Sequence, residues 1–245
     1  MRPAVPRPPS PPRPIPPPFK HPRYAKRVSI GLAAIWESKD GPRIVLCADT
    51  RIDYGYVGVS DGNVKIGRHG YGWASILASD DWVAALALRN HMVTAWRCDV
   101  PPASIAVIQT VVESTAKSLM RSELFSDAET EMLLCGFVPP TVPYIIYLHA
   151  KARKLILRQI RTYSAIGSGC SIASVFLGQR DCGPHDAVDR TLYCVYEAKK
   201  YSERALGVGQ RTHIGVLNPC PDPCEAATVS ISVVKRTGQE KLEEI

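Results

Sequence analysis

Short apolar runs separated by turn residues open the folded part of the chain, a pattern that predicts β-strands. Residues 28–36 form one run of apolar and small residues, and residues 44–48 form a second. The polar segment between them contains Asp40-Gly41, a dipeptide typical of hairpin turns. Residues 54–60 and 64–66 predict a further hairpin around Asp61-Gly62-Asn63, followed by a strand at residues 73–77.

The hydrophobic period then changes from two to that of a helix. Asp80-Asp81 is a good N-terminal cap for a first helix, and residues 103–124 repeat the helical spacing after Pro101-Pro102. Further strands are predicted at residues 132–138, 143–149, 154–161, 213–217 and 226–234, and two further helices at residues 171–177 and 184–203. Strands and helices are therefore grouped, which predicts an α+β fold. Two helix pairs on opposite faces of two stacked antiparallel sheets give a four-layer αββα sandwich.

Charge and proline divide the chain into two parts. Residues 1–27 carry seven basic residues, no acidic residue and 11 of the 21 prolines, which predicts a disordered tail. The remaining residues 28–245 hold 23 basic and 23 acidic residues and are expected to form one domain. Because the net charge of +7 comes from the tail, nucleic-acid binding by this basic arm is the least favoured function. No apolar run approaches the roughly 18 residues of a membrane span.

Eight cysteines are scattered along the chain, several of them in apolar runs. This usage is typical of free thiols in a reducing compartment, so we expect a cytoplasmic protein. Only Cys220 and Cys224 are close, in Cys-Pro-Asp-Pro-Cys, and they lack a second Cys or His pair at zinc spacing. A proline-fixed loop is therefore favoured over a metal site there, and no metal or cofactor is expected.

Asp49 and Lys65 are the first candidates for chemistry. Asp49 ends the second predicted strand, and Lys65 follows sixteen residues later on the next predicted hairpin. A carboxylate on a neighbouring strand orients a lysine and keeps it charged. The alternative is a surface salt bridge with no chemical role.

Three segments together resemble the β-type subunits of the proteasome and related bacterial proteases. They are residues 44–51 (Ile-Val-Leu-Cys-Ala-Asp-Thr-Arg), Lys65 at its spacing, and residues 165–169 (Ala-Ile-Gly-Ser-Gly). That family belongs to the N-terminal nucleophile (Ntn) hydrolases, which have the αββα fold and attack an amide with the side chain of their first residue. The resemblance covers about residues 28–217.

The resemblance implies a role for five residues. Ser29 is the nucleophile, and its own α-amine, or a water beside that amine, takes the hydroxyl proton. Lys65 favours the alkoxide-like state of that hydroxyl, and Asp49 holds Lys65. Ser168 supports the amine, and Ser79 supplies a backbone N–H to the oxyanion.

Departures from the family pattern concern the nucleophile and the end of the fourth helix. Proteasome subunits use threonine where this chain has Ser29. Glu203 or Arg204 stands where the family has an Asp, and Gly207 replaces a Ser. Ser29 also follows Val28 in the sequence, so residues 1–27 are interpreted as a removable pro-segment or as a mis-called start. In the second case translation begins at Val28, read as methionine, whose removal exposes Ser29.

The expected function is a peptidase or amidohydrolase that acts on a polypeptide or a small amide. The resemblance implies a homo-oligomeric ring that encloses the sites, with or without an ATPase unfoldase as partner. The alternative is a non-catalytic subunit of the same fold that serves in assembly or as a scaffold, and it is motivated by the changes at residues 203–207.

Overall fold

A computed structural model describes residues 29–39, 41–53, 59–61, 64–96, 104–122, 125, 128–138, 141–219 and 229–234. The predicted tail and the Cys220/Cys224 loop lie outside the described residues. The strands are β1 (Ile30–Ser38), β2 (Gly41–Asp49), β3 (Arg51–Asp53), β4 (Val59–Asp61), β5 (Ile66–Arg68), β6 (Ala74–Ser79), β7 (Glu129–Val138), β8 (Val142–Lys151), β9 (Lys154–Ile160), β10 (Tyr163–Gly167), β11 (Thr212–Leu217) and β12 (Val229–Val234).

Two five-stranded antiparallel sheets form the centre of the fold. The first sheet has the order β10-β1-β2-β11-β12, and the second has the order β5-β6-β7-β8-β9. The predicted β1–β2 hairpin is present, with Ser38 opposite Gly41 and Gly31 opposite Ala48. Gly41 has a φ of +104°, a backbone conformation that glycine adopts without steric cost.

Within the described ranges, four α-helices cover the outer faces: α1 (Trp82–Ala95), α2 (Ile105–Leu119), α3 (Cys170–Gln179) and α4 (Val188–Ser202). Asp81 caps α1, since its carboxylate accepts the backbone N–H groups of Val83 and Ala84. Ser104 caps α2 through the N–H of Val107. Among the described residues, none of the helices is long and apolar enough to cross a membrane.

Successive residues of a strand point to opposite faces of a sheet. The buried side chains of the two sheets therefore contribute to three separate apolar layers. The layer between the sheets includes Ala33, Ile35, Leu46, Ile76, Leu133 and Cys135. The layer under α3 and α4 includes Leu32, Ala34, Val45, Cys47, Val195 and Ala198. The layer under α1 and α2 includes Leu77, Leu88, Ile108, Met132, Leu134 and Leu148. The architecture is thus the predicted αββα sandwich.

Two details differ from the sequence prediction. The expected pairing of residues 54–60 with 64–66 is wrong for residues 59 and 60, because β4 pairs with β3, with Arg51 opposite Asp61. Residues 54–58 lie outside the described residues. Ile66 instead begins β5, which pairs with β6 and buries Ile66 between the sheets. The short strand β10 was not predicted; it pairs with β1 and completes the edge of the first sheet.

Candidate active site

Strand register places Ser29 at the start of β1, between the ends of two other strands. Ile30, the first residue of β1, lies opposite Gly167 of β10. On the other side, Gly31 lies opposite Ala48 of β2, which puts Asp49 next to the start of β1. The N-terminal end of β1 therefore meets Asp49 on one side and the Gly167-Ser168-Gly169 turn on the other.

Ser29, Lys65 and Asp49 form one hydrogen-bonded group. The Lys65 Nζ donates to Ser29 Oγ at 2.6 Å and to Asp49 Oδ1 at 2.7 Å. Ser29 Oγ also lies 3.4 Å from Asp49 Oδ1, to which it donates. The structure thus brings together residues from both sheets, since Lys65 directly precedes β5 whereas Asp49 ends β2.

Burial makes this group costly unless its polar atoms are satisfied. The side chains of Lys65 and Asp49 are 1% and 0% exposed, and Ser29 is 1% exposed. Asp49 Oδ1 also accepts the N–H of Ile30 at 3.0 Å, and Asp49 Oδ2 accepts the N–H of Gly209 at 2.8 Å. Charge-assisted bonds of this length offset the desolvation of the pair. The surface salt bridge considered from the sequence is therefore excluded.

Ser168 contacts the backbone of Ser29 on the opposite side. Its Oγ accepts the Ser29 N–H at 3.4 Å and donates to the Ser29 carbonyl at 3.2 Å. Gly167 has a φ of +88°, and a Cβ on it would lie 2.4 Å from the Ser29 carbonyl oxygen. Glycine is therefore required for the turn to reach Ser29 so closely.

Ser79 ends β6, and its hydroxyl forms hydrogen bonds outside this group. Its Oγ donates to the Glu129 carbonyl at 3.0 Å and accepts the N–H of Asp81 at 3.0 Å. Within the described part of the chain it makes no hydrogen bond to the other four candidates. Its neighbour Ala78 packs against the Gly167 position, 3.3 Å from a Cβ built there.

Three residues that the sequence analysis did not single out support the site. The backbone N–H of Gly209 binds Asp49, as described above. The buried carboxylate of Glu131 accepts the N–H of Gly167 at 2.8 Å and the hydroxyl of Tyr147 at 2.8 Å, so β7 fixes the glycine turn. The hydroxyl of Ser202, at the end of α4, donates to the Ala198 carbonyl at 2.7 Å and also lies within hydrogen-bond distance of the Gly169 carbonyl, at 3.2 Å.

The end of α4 differs chemically from the family pattern. The Glu203 carboxylate binds the ammonium groups of Lys199 and Lys200, at 2.7 and 2.9 Å. Glu203 is therefore held by lysines of its own helix. A sequence signal for the Gly209 contact does exist, because two glycines in Gly207-Val208-Gly209 indicate a close backbone approach.

Neighbouring titratable groups do not compete with Ser29. Burial raises the pKa of the Cys47 thiol to about 12, so it is no nucleophile at neutral pH. Burial lowers the pKa of His213, and the nearby Asp49 carboxylate opposes that shift. Among the described residues, no group of three or more His, Cys, Asp or Glu side chains is arranged to hold a metal ion.

The solved structures that share this fold include Anbu proteins, which are proteasome β-subunit-like. A Gly-1 mutant of Anbu from Hyphomicrobium sp. strain MC1 superposes with a TM-score of 0.63 at 14% identity, covering 87% of this chain and 86% of that one. Anbu from Yersinia bercovieri, described as an ancestral beta-subunit, gives 0.58 at 16% identity, covering 76% and 81%. A helical assembly of the Anbu complex from Pseudomonas aeruginosa gives 0.60 at 14% identity, covering 82% and 86%.

These likenesses confirm the fold expected from the resemblance to proteasome β-subunits. No protein-family model matches the sequence, and no curated protein matches it.

Proposed function

We propose that this chain is an amide-bond hydrolase in which Ser29 is the nucleophile once the residues before it are removed. The contact that carries this proposal is the 2.6 Å hydrogen bond from Lys65 Nζ to Ser29 Oγ. A buried ammonium at this distance favours a negative charge on the serine oxygen, because the low local dielectric strengthens the attraction.

In the proposed reaction the free α-amine of Ser29 takes the proton from Ser29 Oγ, which attacks the substrate carbonyl carbon. An α-amine titrates near pH 8, so it accepts a proton close to neutral pH. The tetrahedral intermediate expels the substrate amine, which receives that proton, and leaves an ester on Ser29. Water, deprotonated by the same amine, then hydrolyses the ester and frees the enzyme.

Ser168 and Ser79 support this chemistry through different groups. Ser168 Oγ already accepts from Ser29 N, which is the atom that becomes the α-amine. For Ser79 the relevant group is the backbone N–H. Asp80 N–H donates to the Glu129 carbonyl, and hydrogen-bonded pairs alternate along antiparallel strands. The N–H of Ser79 is therefore directed to the other side of β6, where β5 and Lys65 lie.

We further propose that the active form is a homo-oligomer acting on a polypeptide or a small amide, as a closed ring in a reducing cytoplasm. The Pseudomonas neighbour is described as a helical assembly, which is the open alternative to a ring. The proposal includes an ATPase unfoldase as a partner of such an assembly. Electron microscopy of the purified protein distinguishes closed rings from open helices.

A second candidate is a non-catalytic subunit of the same fold. It is favoured by the burial of Ser29, which is 1% exposed, and by its nitrogen, which is a peptide N–H in the full chain. In this case the buried Lys65–Asp49 pair serves only to hold the two sheets together.

The test compares the full-length chain with a chain released from a cleavable fusion so that it begins at Ser29. Both are assayed on a fluorogenic peptide library, together with Ser29→Ala, Ser29→Thr and Lys65→Met in the shorter chain. Hydrolysis is expected from the chain that begins at Ser29 and from Ser29→Thr, which keeps a hydroxyl. We expect none from Ser29→Ala or Lys65→Met.

The matched control is Lys117→Met, because the Lys117 side chain is 58% exposed and pairs with Glu113 within α2. It is expected to leave hydrolysis unchanged. Undiminished hydrolysis by Ser29→Ala would exclude Ser29 as the nucleophile. A correctly folded chain that begins at Ser29 and cleaves no library peptide would favour the non-catalytic candidate.

A further inference from the structure

Among the residues that the structure describes, Lys199 is the most deeply buried cation outside the Ser29 group. It lies in the last turn of α4, and its side chain is 0% exposed. Burying an ammonium is costly unless its donors are satisfied. Lys199 Nζ has three acceptors: Glu203 Oε1 at 2.7 Å, the Gly209 carbonyl at 2.8 Å and the Gln210 carbonyl at 2.9 Å.

These acceptors lie in the segment that connects α4 to β11. Two of them are consecutive carbonyls, so Lys199 fixes the backbone on the C-terminal side of Gly209. The N–H of the same glycine donates to Asp49 Oδ2 at 2.8 Å, across 160 residues of sequence. Lys199 and Asp49 are thus linked through one residue.

Close packing at Gly209 makes this link sensitive to small displacements. A Cβ on Gly209 would lie 2.6 Å from Arg51 Cβ and 3.0 Å from Asp49 Oδ2. The backbone therefore lies directly against the end of β2. A shift of the segment away from β2 removes the bond to Asp49 Oδ2.

Loss of that bond changes the geometry at Ser29. Asp49 uses Oδ2 for Gly209 and Oδ1 for Lys65 and Ile30. Without the Gly209 N–H the carboxylate is held through Oδ1 alone, so its rotation about the Cβ–Cγ bond is less restricted. Lys65 then loses the orientation that directs it to Ser29 Oγ.

We infer that Lys199 is a positioning residue for the proposed hydrolysis: through Gly209 it orients Asp49 and, through Asp49, the Lys65 ammonium. The inference rests on the proposed function, but its structural link is measurable without it. Glu203 assists by neutralising the buried ammonium. Lys200, the next residue of α4, also binds Glu203 but is 27% exposed and contacts neither carbonyl in the described structure.

The experiment compares Lys199→Met with Lys200→Met, both made in the full-length chain and purified in the form that the cell produces. The two substitutions remove one lysine each from the same helix and the same carboxylate. One readout is the hydrogen exchange of peptides spanning residues 205–211, with peptides of β7 as the internal reference. The other is the kcat and KM of peptide hydrolysis.

For Lys199→Met we expect the residue 205–211 amides to exchange at least about tenfold faster while β7 is unchanged. We also expect kcat to fall by about 10–100-fold with KM within about twofold, as for a misplaced catalytic group. Lys200→Met should match the wild type in both readouts. Should Lys199→Met not fold, Glu203→Gln, which leaves the buried ammonium without its counter-charge, is expected to show the same changes in smaller measure.

Three results overturn the inference or separate it from the proposed function. Unchanged exchange at residues 205–211 refutes the link between Lys199 and Gly209. Faster exchange with an unchanged kcat refutes the positioning role. A wild-type protein that begins at Ser29 and hydrolyses nothing refutes the proposed function, and the exchange comparison then decides alone whether Lys199 holds the Gly209–Asp49 bond.

Discussion

Removing either member of the Lys65–Asp49 pair is expected to destabilise the fold by far more than a surface ion pair would. Both side chains are at most 1% exposed, and breaking a buried pair leaves an uncompensated charge at a cost of about 3–5 kcal/mol. Lys65→Met should fall near the lower limit, because Asp49 keeps the N–H donors of Ile30 and Gly209. Asp49→Asn should fall near the upper limit, because the Lys65 ammonium loses its carboxylate.

The double variant distinguishes a coupled pair from two independent residues. In Asp49→Asn/Lys65→Met no charge remains buried, so we expect its loss to be smaller than the sum of the single losses by about 2–3 kcal/mol. The assay is urea unfolding followed by tryptophan fluorescence, with Trp73 and Trp96 buried in the second sheet's outer layer. Protomer concentration is held constant because assembly adds to the apparent stability.

Two outcomes would refute this reasoning. Single losses below about 1 kcal/mol are those of an exposed ion pair. Losses that add within about 0.5 kcal/mol indicate that the two side chains do not interact.

Three further predictions concern the pH dependence, the thiols and the glycine turn. Burial, with a smaller effect of Arg89, lowers the pKa of His69 from 6.5 to about 4. The stability that the neutral imidazole contributes is therefore complete above pH 6.5 and is lost as the pH falls towards 4. The free energy of unfolding should thus change between pH 7.5 and pH 5 by about 2 kcal/mol more in the wild type than in His69→Phe. Burial raises the pKa of Cys182 to about 12, so this thiol should resist iodoacetamide at pH 8 in the native protein and react with it in urea. Labelling of the native protein at the rate of the unfolded protein would contradict the burial of Cys182. Gly167→Ala forces a Cβ against the Ser29 carbonyl, so it should abolish hydrolysis and lower the free energy of unfolding by more than about 1 kcal/mol. At Gly183 an added Cβ has its nearest contact at 3.9 Å, so Gly183→Ala should change activity little.

Much of the fold follows from periodicity in the sequence. The β1–β2 hairpin, the helix capped by Asp81 and the strand–helix order are all local patterns, and the structure contains each of them. Strand β10 was missed because Tyr163–Gly167 has only five residues and no clear alternation. The predicted partner of β4 is wrong because the turn signal at residues 61–63 indicates a change of chain direction but does not identify the strand with which β4 pairs.

The candidate site also contains some residues that the sequence predicts and others that it does not. Ser29, Asp49, Lys65 and Ser168 were found from motifs and from the resemblance to proteasome subunits. Lys199 and Gly209 were not, because their roles depend on a contact between Gly209 and Asp49 across 160 residues. The two glycines at 207 and 209 indicate a close backbone approach but not that Asp49 is the partner, and the Lys199–Glu203 spacing alone is typical of an ordinary helical ion pair.

The most direct test of the account is the first residue of the protein purified from its native source, measured by intact mass and N-terminal sequencing. The proposed chemistry requires a free α-amine on Ser29, because that amine is the base for its own hydroxyl. The account predicts a chain that begins at Ser29 in the fraction that hydrolyses peptides. A hydrolytically active protein that retains Val28 would contradict it.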